Sequence, residues 1–300
     1  MSITQTDPLG AAPIDVDSFA VPDEAGRWAA FKNALSSWPV AIGIGVLLAW
    51  AIVAITVPLW AWAGPRDAVG PRLQSPNWDH VLGTDSLGRD VLIRTLYGAR
   101  ESLPTATAVI IGTVLIGCAF GAVAGFRGGI ADTVIMRASD VVLSFPQIFL
   151  AMAVAAALGP SLRNTIVALV LVWWPIYARL LRGQVLAIKQ REHVEAARSV
   201  GVPPRRILRR HVLPMAITPV MINATMDFGQ VLVLTASLSF LGLGATPPSS
   251  EWCLMIDDGT KNFYQWWISL GPGLGILSVA LAANFVGDGL RDHFDVRAKG

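Results

Sequence analysis

Hydrophobic residues occur along this chain in six long runs, and the polar residues gather in the segments between them. Each run holds about 20 or more residues, which is the length that a helix needs to cross the hydrocarbon core of a bilayer. The pattern therefore predicts an all-α integral membrane protein with six transmembrane helices. They cover roughly residues 39–62, 104–126, 134–158, 162–181, 218–243 and 270–290.

The polar segments divide the chain into four regions. Residues 1–38 are acidic and rich in Asp, Pro and Ala, a composition that predicts a largely disordered tail. Residues 39–103 contain the first transmembrane helix and a polar loop. Residues 104–291 contain the other five helices and a second polar loop at 184–214, and residues 292–300 form a short C-terminal tail.

Glycines recur at every fourth residue of the second run, at Gly117, Gly121 and Gly125. Residues at this spacing lie on one face of a helix. Small side chains there allow the backbone of a neighbouring membrane helix to approach closely. We therefore expect a tightly packed helix pair at this face.

Composition supports the membrane class, and the distribution of charge indicates an orientation. Of all residues, 53% are hydrophobic and 15% are charged, whereas about a quarter are charged in an ordinary soluble domain. If both termini and the 184–214 loop face the cytoplasm, 16 of the 23 Lys and Arg residues lie on that side. This excess satisfies the positive-inside rule, so we expect both termini in the cytoplasm.

The second polar loop contains a helix–bend–helix pattern over residues 191–214, which we call the docking loop. Residues 194–200 predict a short helix with small alanines on one face, and Gly201 permits the positive φ that ends a helix. Pro203 and Pro204 cannot continue a helix interior, but either can open a second, basic helix that extends to Val212. Such a shape is suited to docking rather than to catalysis.

The docking loop resembles the EAA loop of ABC-importer permeases. That motif consists of Glu-Ala-Ala, three residues, Gly, nine residues, an apolar residue, one residue and Leu-Pro, and here a histidine occupies the apolar position. The resemblance implies a cytoplasmic coupling helix that inserts into a groove on a separate ATP-hydrolysing subunit. The residues that match are Glu195, Ala196, Ala197, Gly201, His211, Leu213 and Pro214.

The first polar loop carries a second motif over residues 83–90, which we call the signature loop. It lacks the Gly-Lys-Ser/Thr of a phosphate-binding loop. It resembles the signature of the C-type permease of dipeptide, oligopeptide and nickel importers, and residues 236–252 and 284–292 extend the resemblance. A cysteine, Cys253, stands where that family usually has glycine. The signature residues are Gly83, Thr84, Asp85, Gly88, Arg89 and Asp90.

Together these resemblances imply a type I ABC-importer permease fold in the plasma membrane of a prokaryote. Such a chain forms half of a translocation path with a homologous second permease. It binds one or two cytoplasmic ATPase subunits, which carry ATP and Mg²⁺, and receives substrate from an extracytoplasmic binding protein. The implied substrate is a di- or oligopeptide, with nickel chelates and antimicrobial peptides as alternatives. We expect no cofactor on this chain and no nucleic-acid partner.

Polar residues inside the apolar runs are costly in lipid and therefore informative. Asn223, Asp227 and Gln230 follow a helical spacing in the fifth run, and Asp140, Ser144 and Gln147 do so in the third. Such rows either line a path or form hydrogen bonds between helices. We expect hydrogen bonding for Asp140 and Asn284, and both interpretations stay open for the row at Asp227.

Two other classes of protein are less consistent with the sequence. A membrane-embedded enzyme is disfavoured because the four histidines form no His-Glu-x-x-His pair and there is no Gly-x-Ser-x-Gly motif. Cys118 and Cys253 are far apart, so we expect no metal site. A stand-alone channel or secondary carrier remains an alternative, although it has no need for a cationic docking loop.

Overall fold

A computed structural model describes residues 38–295 of the chain. The predictions for residues 1–37 and 296–300 lie outside this range. The described part is built from helices, and a π-helical turn, Leu208–Val212, joins the seventh helix to the eighth. The helices are α1 Trp38–Trp60, α2 Val91–Arg127, α3 Gly129–Leu143, α4 Gln147–Leu158, α5 Leu162–Lys189, α6 Glu192–Ser199, α7 Pro204–Ile207, α8 Leu213–Phe240, α9 Trp252–Lys261 and α10 Trp267–Asp295.

Five parts of the described chain are long and apolar enough to cross a membrane, namely α1, α2, α5, the run from α7 through α8, and α10. Helices α3 and α4 supply a sixth crossing if they are taken as one bent span. The predicted all-α membrane fold is confirmed. The predicted third crossing over 134–158 is not one continuous helix but falls on two helices that meet at 92°. Pro146 precedes α4, and a proline cannot donate the backbone hydrogen bond that would continue α3.

This bend also separates a row of polar residues that the sequence places on one helical face. Asp140 and Ser144 lie at the end of α3, whereas Gln147 begins α4 beyond the bend. Asp140 instead accepts a hydrogen bond of 2.5 Å from Arg179 of α5. The expected helix-to-helix contact of Asp140 is confirmed, and the shared face with Gln147 is not.

Helix α2 begins thirteen residues earlier than the predicted second crossing, at Val91 rather than at Pro104. Asp90 has an extended backbone and accepts a hydrogen bond of 2.9 Å from the N–H of Ile93, so it caps the helix. Pro104 lies inside the helix. The predicted boundary after residue 103 therefore falls within a continuous helix.

The most extensive helix pair in the described chain is formed by α2 and α5. A Cβ added at Gly117 would lie 2.7 Å from the carbonyl oxygen of Trp174, and one at Gly121 would lie 2.5 Å from that of Ala178. A Cβ at Gly125 would lie 2.9 Å from the side chain of Val185. The three glycines thus allow the close packing that their spacing predicts.

The remaining long helices pack on this pair. In α1, a Cβ at Gly43 would lie 2.6 Å from the carbonyl oxygen of Ala282 in α10, so these two helices are also in close contact. The indole N–H of Trp50 donates a hydrogen bond of 2.9 Å to Ser278 of α10. Large apolar side chains on the outer side of α1 are exposed, as expected for a surface that faces lipid.

We predict that Gly121→Leu strongly destabilises the isolated chain in detergent. The new side chain meets backbone atoms of α5, which cannot rotate away, so the loss of unfolding free energy should exceed the ~1–3 kcal/mol typical of overpacking. Thermal unfolding checks this expectation. Gly183→Leu is the matched control, because no atom lies within 4 Å of a Cβ at that position. Equal melting temperatures for the two variants would contradict the close approach.

Candidate functional site

The docking loop forms a short helix that ends in a glycine bend. Helix α6 spans Glu192–Ser199, close to the predicted 194–200. Gly201 has a φ of +81°, which confirms the predicted positive value. The N–H of Val202 donates to the carbonyl oxygen of Ala197 at 3.1 Å and closes the end of the helix. A Cβ at Gly201 meets no atom within 4 Å, so the requirement for glycine comes from backbone conformation and not from space.

The second half of the docking loop differs from the expected single helix. Helix α7 opens at Pro204 and lasts one turn, and the π-helical turn that follows leads directly into α8. Pro214 lies in the first turn of α8, where the absence of its N–H is tolerated. His211 is only partly buried, whereas its neighbour Val212 is fully buried. A polar residue is therefore accommodated at the position where the motif has an apolar one.

Apolar side chains fasten the docking loop to the helix bundle. Val194, Ile207 and Val212 are buried in one cluster with Tyr177 and other residues of α5. The opposite side of α6 is open to solvent: Glu195 and Ala196 are exposed, and Ala197 is partly buried. Val200 is 84% exposed at the tip. The loop thus has one face fixed to α5 and one face without a partner in the described chain.

The six signature residues form a framework around one buried carboxylate. Asp85 is fully buried and accepts hydrogen bonds from the guanidinium groups of Arg89 at 2.7 Å and Arg94 at 2.5 Å. It also accepts from the backbone N–H groups of Leu87 and Arg89. Arg94 donates further to the carbonyl oxygen of Ser249, so the network joins α2 to the segment before α9.

The other signature residues complete this framework. Asp90 caps α2 and lies 2.9 Å from Nδ1 of His80. Thr84 donates to the carbonyl oxygen of Pro71 at 2.6 Å. Gly83 and Gly88 have positive φ, and a Cβ on either would lie 2.4 Å from a carbonyl oxygen. The contacts of these residues within the chain assign them a structural role.

Sequence reasoning assigned no role to Glu251 and Trp252, which complete this end of the molecule. Glu251 is buried and accepts from the N–H groups of Cys253 and Leu254, so it caps α9. Burial raises the pKa of the Glu251 carboxyl, while its hydrogen bonds act in the opposite direction. Burial also raises the pKa of the Cys253 thiol, which packs inside the protein. The indole of Trp252 donates to the carbonyl oxygen of Thr95 in α2.

The polar row of α8 both connects helices and faces an open cavity. Oδ2 of Asp227 accepts hydrogen bonds from Tyr177 at 2.7 Å and from Trp173 at 3.3 Å, and both donors lie on α5. Asn223, Asp227 and Gln230 also line a cavity of about 630 Å³ between α8 and α10, which we call the polar cavity. Of the three residues, Asp227 forms hydrogen bonds between helices, and all three line the cavity, so the row stays a candidate for the path.

Asn284 of α10 departs from its expected role. It makes no hydrogen bond to another helix within residues 38–292 and lies on the wall of the polar cavity. Because the sequence places Asn284 in a different run from Asp227, only the packing of α10 on α8 reveals that they share a wall.

Within the described residues, no group of three or more His, Cys, Asp or Glu side chains is arranged to hold a metal ion.

Long apolar helices, a polar cavity between them and a solvent-facing docking loop define a multi-pass membrane transport protein. Residues 117–300 match the family described as binding-protein-dependent transport system inner membrane component, and the chain belongs to this family. Its members are transport permeases.

Curated relatives are similar over nearly the whole chain. The dipeptide transport system permease protein DppC of Alkalihalophilus pseudofirmus is 38% identical, over 90% of each chain. The probable D,D-dipeptide transport system permease protein DdpC of Escherichia coli is 37% identical, over 89% of this chain and 90% of the relative. The glutathione transport system permease protein GsiD of Pectobacterium atrosepticum is 38% identical, over 91% and 92%.

Two solved structures share the fold. The methionine ABC transporter MetNI in inward-facing conformations aligns with a TM-score of 0.53 and 20% identity, over 64% of this chain and 93% of that chain. An amino acid ABC transporter crystallised with histidines aligns with a TM-score of 0.51 and 18% identity, over 68% and 94%. The fold of this chain is therefore that of ABC-importer permeases.

We predict that Asp85→Asn lowers the stability of the chain by about 3–5 kcal/mol, because a neutral amide leaves two buried guanidinium groups without a counter-charge. The free energy of unfolding in detergent checks this value. Asp79→Asn makes the same chemical change on an exposed side chain and should alter stability by less than about 0.5 kcal/mol. If the two variants were equally stable, Asp85 would not hold the signature loop together.

Proposed function

We propose that this chain is a permease subunit of an ATP-driven importer of di- or oligopeptides in the plasma membrane of a prokaryote. It pairs with a homologous permease and binds one or two cytoplasmic ATPase subunits through the docking loop. An extracytoplasmic binding protein delivers the substrate. The observation that carries this proposal is the exposed face of α6, whose opposite face packs against α5.

The proposed partners follow from the family and from the chain. The family description, binding-protein-dependent transport, supports delivery by a separate binding protein. The sequence contains no Gly-Lys-Ser/Thr phosphate-binding loop, which supports ATP and Mg²⁺ on partner ATPase subunits and no cofactor here. Relatives named for dipeptide, D,D-dipeptide and glutathione transport support a short peptide as the substrate.

Contacts inside the bundle support a route by which an ATPase drives transport. The cluster that holds Val194, Ile207 and Val212 contains Tyr177, whose hydroxyl reaches Asp227 in the polar cavity. A push on α6 therefore acts on α5 and on the cavity wall together. Because packed helices move as rigid bodies, this connection suits alternating access, with Asn223, Asp227 and Gln230 along the path.

The positions of the loops support a single orientation. Ser86 of the signature loop donates to Asp258 of α9 at 2.8 Å, so these segments lie at one end of the bundle. At the end of α5 that leads into the docking loop, Lys189 donates to the carbonyl oxygen of Phe126 at the end of α2. We place this second, more basic end in the cytoplasm, and the signature loop and α9 outside.

Two substitutions at Gly201 test the docking role. Gly201→Val should reduce uptake of a labelled dipeptide at least ten-fold at normal membrane expression, because a β-branched residue does not tolerate a φ of +81°. Gly201→Asn should retain most of the uptake, since asparagine adopts positive φ more readily. Uptake is measured in cells that carry the complete transporter. Normal uptake by Gly201→Val would remove the bend from the coupling mechanism.

Single cysteines test the orientation. In a chain lacking Cys118 and Cys253, cysteines at Ser75 and Thr260, which are both exposed, should react with a membrane-impermeant thiol reagent added to intact cells. A cysteine at the exposed Ser199 of α6 should react only after the membrane is permeabilised. The labelled fraction of each variant is measured by mass shift. Labelling of position 199 in intact cells would reverse the proposed topology.

A further inference from the structure

One carboxylate, that of Asp227, lines the polar cavity. Asp227 lies near the centre of the 28-residue helix α8, about 20 Å from either end. The hydrocarbon core of a bilayer is roughly 30 Å thick, so this residue lies close to the membrane midplane. Charged side chains at that depth are rare and mark the path of a substrate or an ion.

The hydrogen bonds of Asp227 orient its carboxylate without neutralising it. Tyr177 and Trp173 both donate to Oδ2, and neither donor carries a charge. Oδ1 has no hydrogen-bond partner within the described residues. None of the residues that line the polar cavity is Lys, Arg or His, so the carboxylate has no counter-charge there. One oxygen is therefore fixed to α5, and the other is available to a cationic ligand.

Three neutral amides line the same cavity as this carboxylate. Asn223 and Gln230 are exposed about one helical turn to either side of Asp227, and Asn284 lies on the wall formed by α10. Amide side chains both donate and accept hydrogen bonds, as the backbone of a peptide requires. The cavity volume, about 630 Å³, falls within the ~300–1,000 Å³ typical of small-ligand sites.

We propose that the polar cavity contains a transient site for the α-ammonium group of a peptide, with Asp227 as its counter-charge and the three amides facing the peptide backbone. This inference rests on the proposed function. It adds that the membrane path itself selects its substrate, through the carboxylate of Asp227. Selection in the path then acts in addition to selection by the binding protein. The carboxylate of Asp227 discriminates between a peptide with a free amino terminus and the same peptide without one.

The test uses the complete transporter, with both permeases, the ATPases and the binding protein, in proteoliposomes. The probes are the dipeptide Ala-Ala and its desamino analogue propanoyl-alanine, which lacks only the α-amino group. ATP-dependent uptake of both probes is compared between wild type and Asp227→Asn. Because the same binding protein serves both transporters, its own preference cancels from the change in the uptake ratio. We expect Asp227→Asn to reduce the preference for Ala-Ala at least ten-fold.

Two further measurements separate charge from structure. Asp227→Glu keeps the negative charge and should keep the preference for Ala-Ala, and Asp79→Asn, on an exposed loop side chain, should leave it unchanged. The second measurement is the equilibrium binding of both probes to the wild-type complex in the absence of the binding protein. This measurement needs no variant, so it does not depend on the stability of one. We expect wild type to bind Ala-Ala at least ten-fold more tightly than the analogue.

The outcomes distinguish the two proposals. If Asp227→Asn lowers uptake of both probes equally, or of neither, or if wild type binds them with equal affinity, the ammonium site is overturned while peptide import stands. If the wild-type transporter takes up no peptide although its ATPases respond to the loaded binding protein, the proposed substrate is wrong, and the ammonium site is overturned with it.

Discussion

The close approach of α2 and α5 is the constraint on which the rest of this structure depends. Within lipid the hydrophobic effect does not drive helices together, so van der Waals packing between small residues must hold them. Gly117, Gly121 and Gly125 provide that contact along α5. Helix α5 in turn carries Tyr177, which touches both the cluster behind the docking loop and the carboxylate in the polar cavity. The two functional regions thus share one firmly packed helix.

At the end of the bundle that carries the signature loop, buried ion pairs rather than small residues hold the segments in place. The desolvation of Asp85 and its two arginines offsets much of their attraction, so the network adds little net stability. Its effect is instead to select one arrangement, because any displacement leaves a buried charge unpaired. Through Arg94 and Ser249 this arrangement joins the signature loop to α2 and to the segment before α9. The signature loop therefore fixes the relative positions of the segments at this end of the bundle.

The sequence by itself determined the fold class and the first half of the docking loop, because both depend on local patterns. Apolar runs of about 20 residues define membrane crossings without reference to neighbours. Glycines at every fourth position predicted the close face of α2. Gly201 followed by Pro203 and Pro204 predicted where α6 ends and α7 begins, since the φ preferences of glycine and proline are properties of single residues.

Only the tertiary structure decided which polar residues meet. Helix α2 begins at Val91 and Pro104 lies within it, although the sequence predicted the second crossing only from residue 104. The angle between α3 and α4 could not be derived from Pro146, because proline breaks a helix without setting its new direction. Asp227 and Asn284 lie in separate runs, yet both line the polar cavity, and Asp227 is also hydrogen-bonded to α5. These outcomes depend on contacts between residues far apart in the chain, which no local pattern encodes.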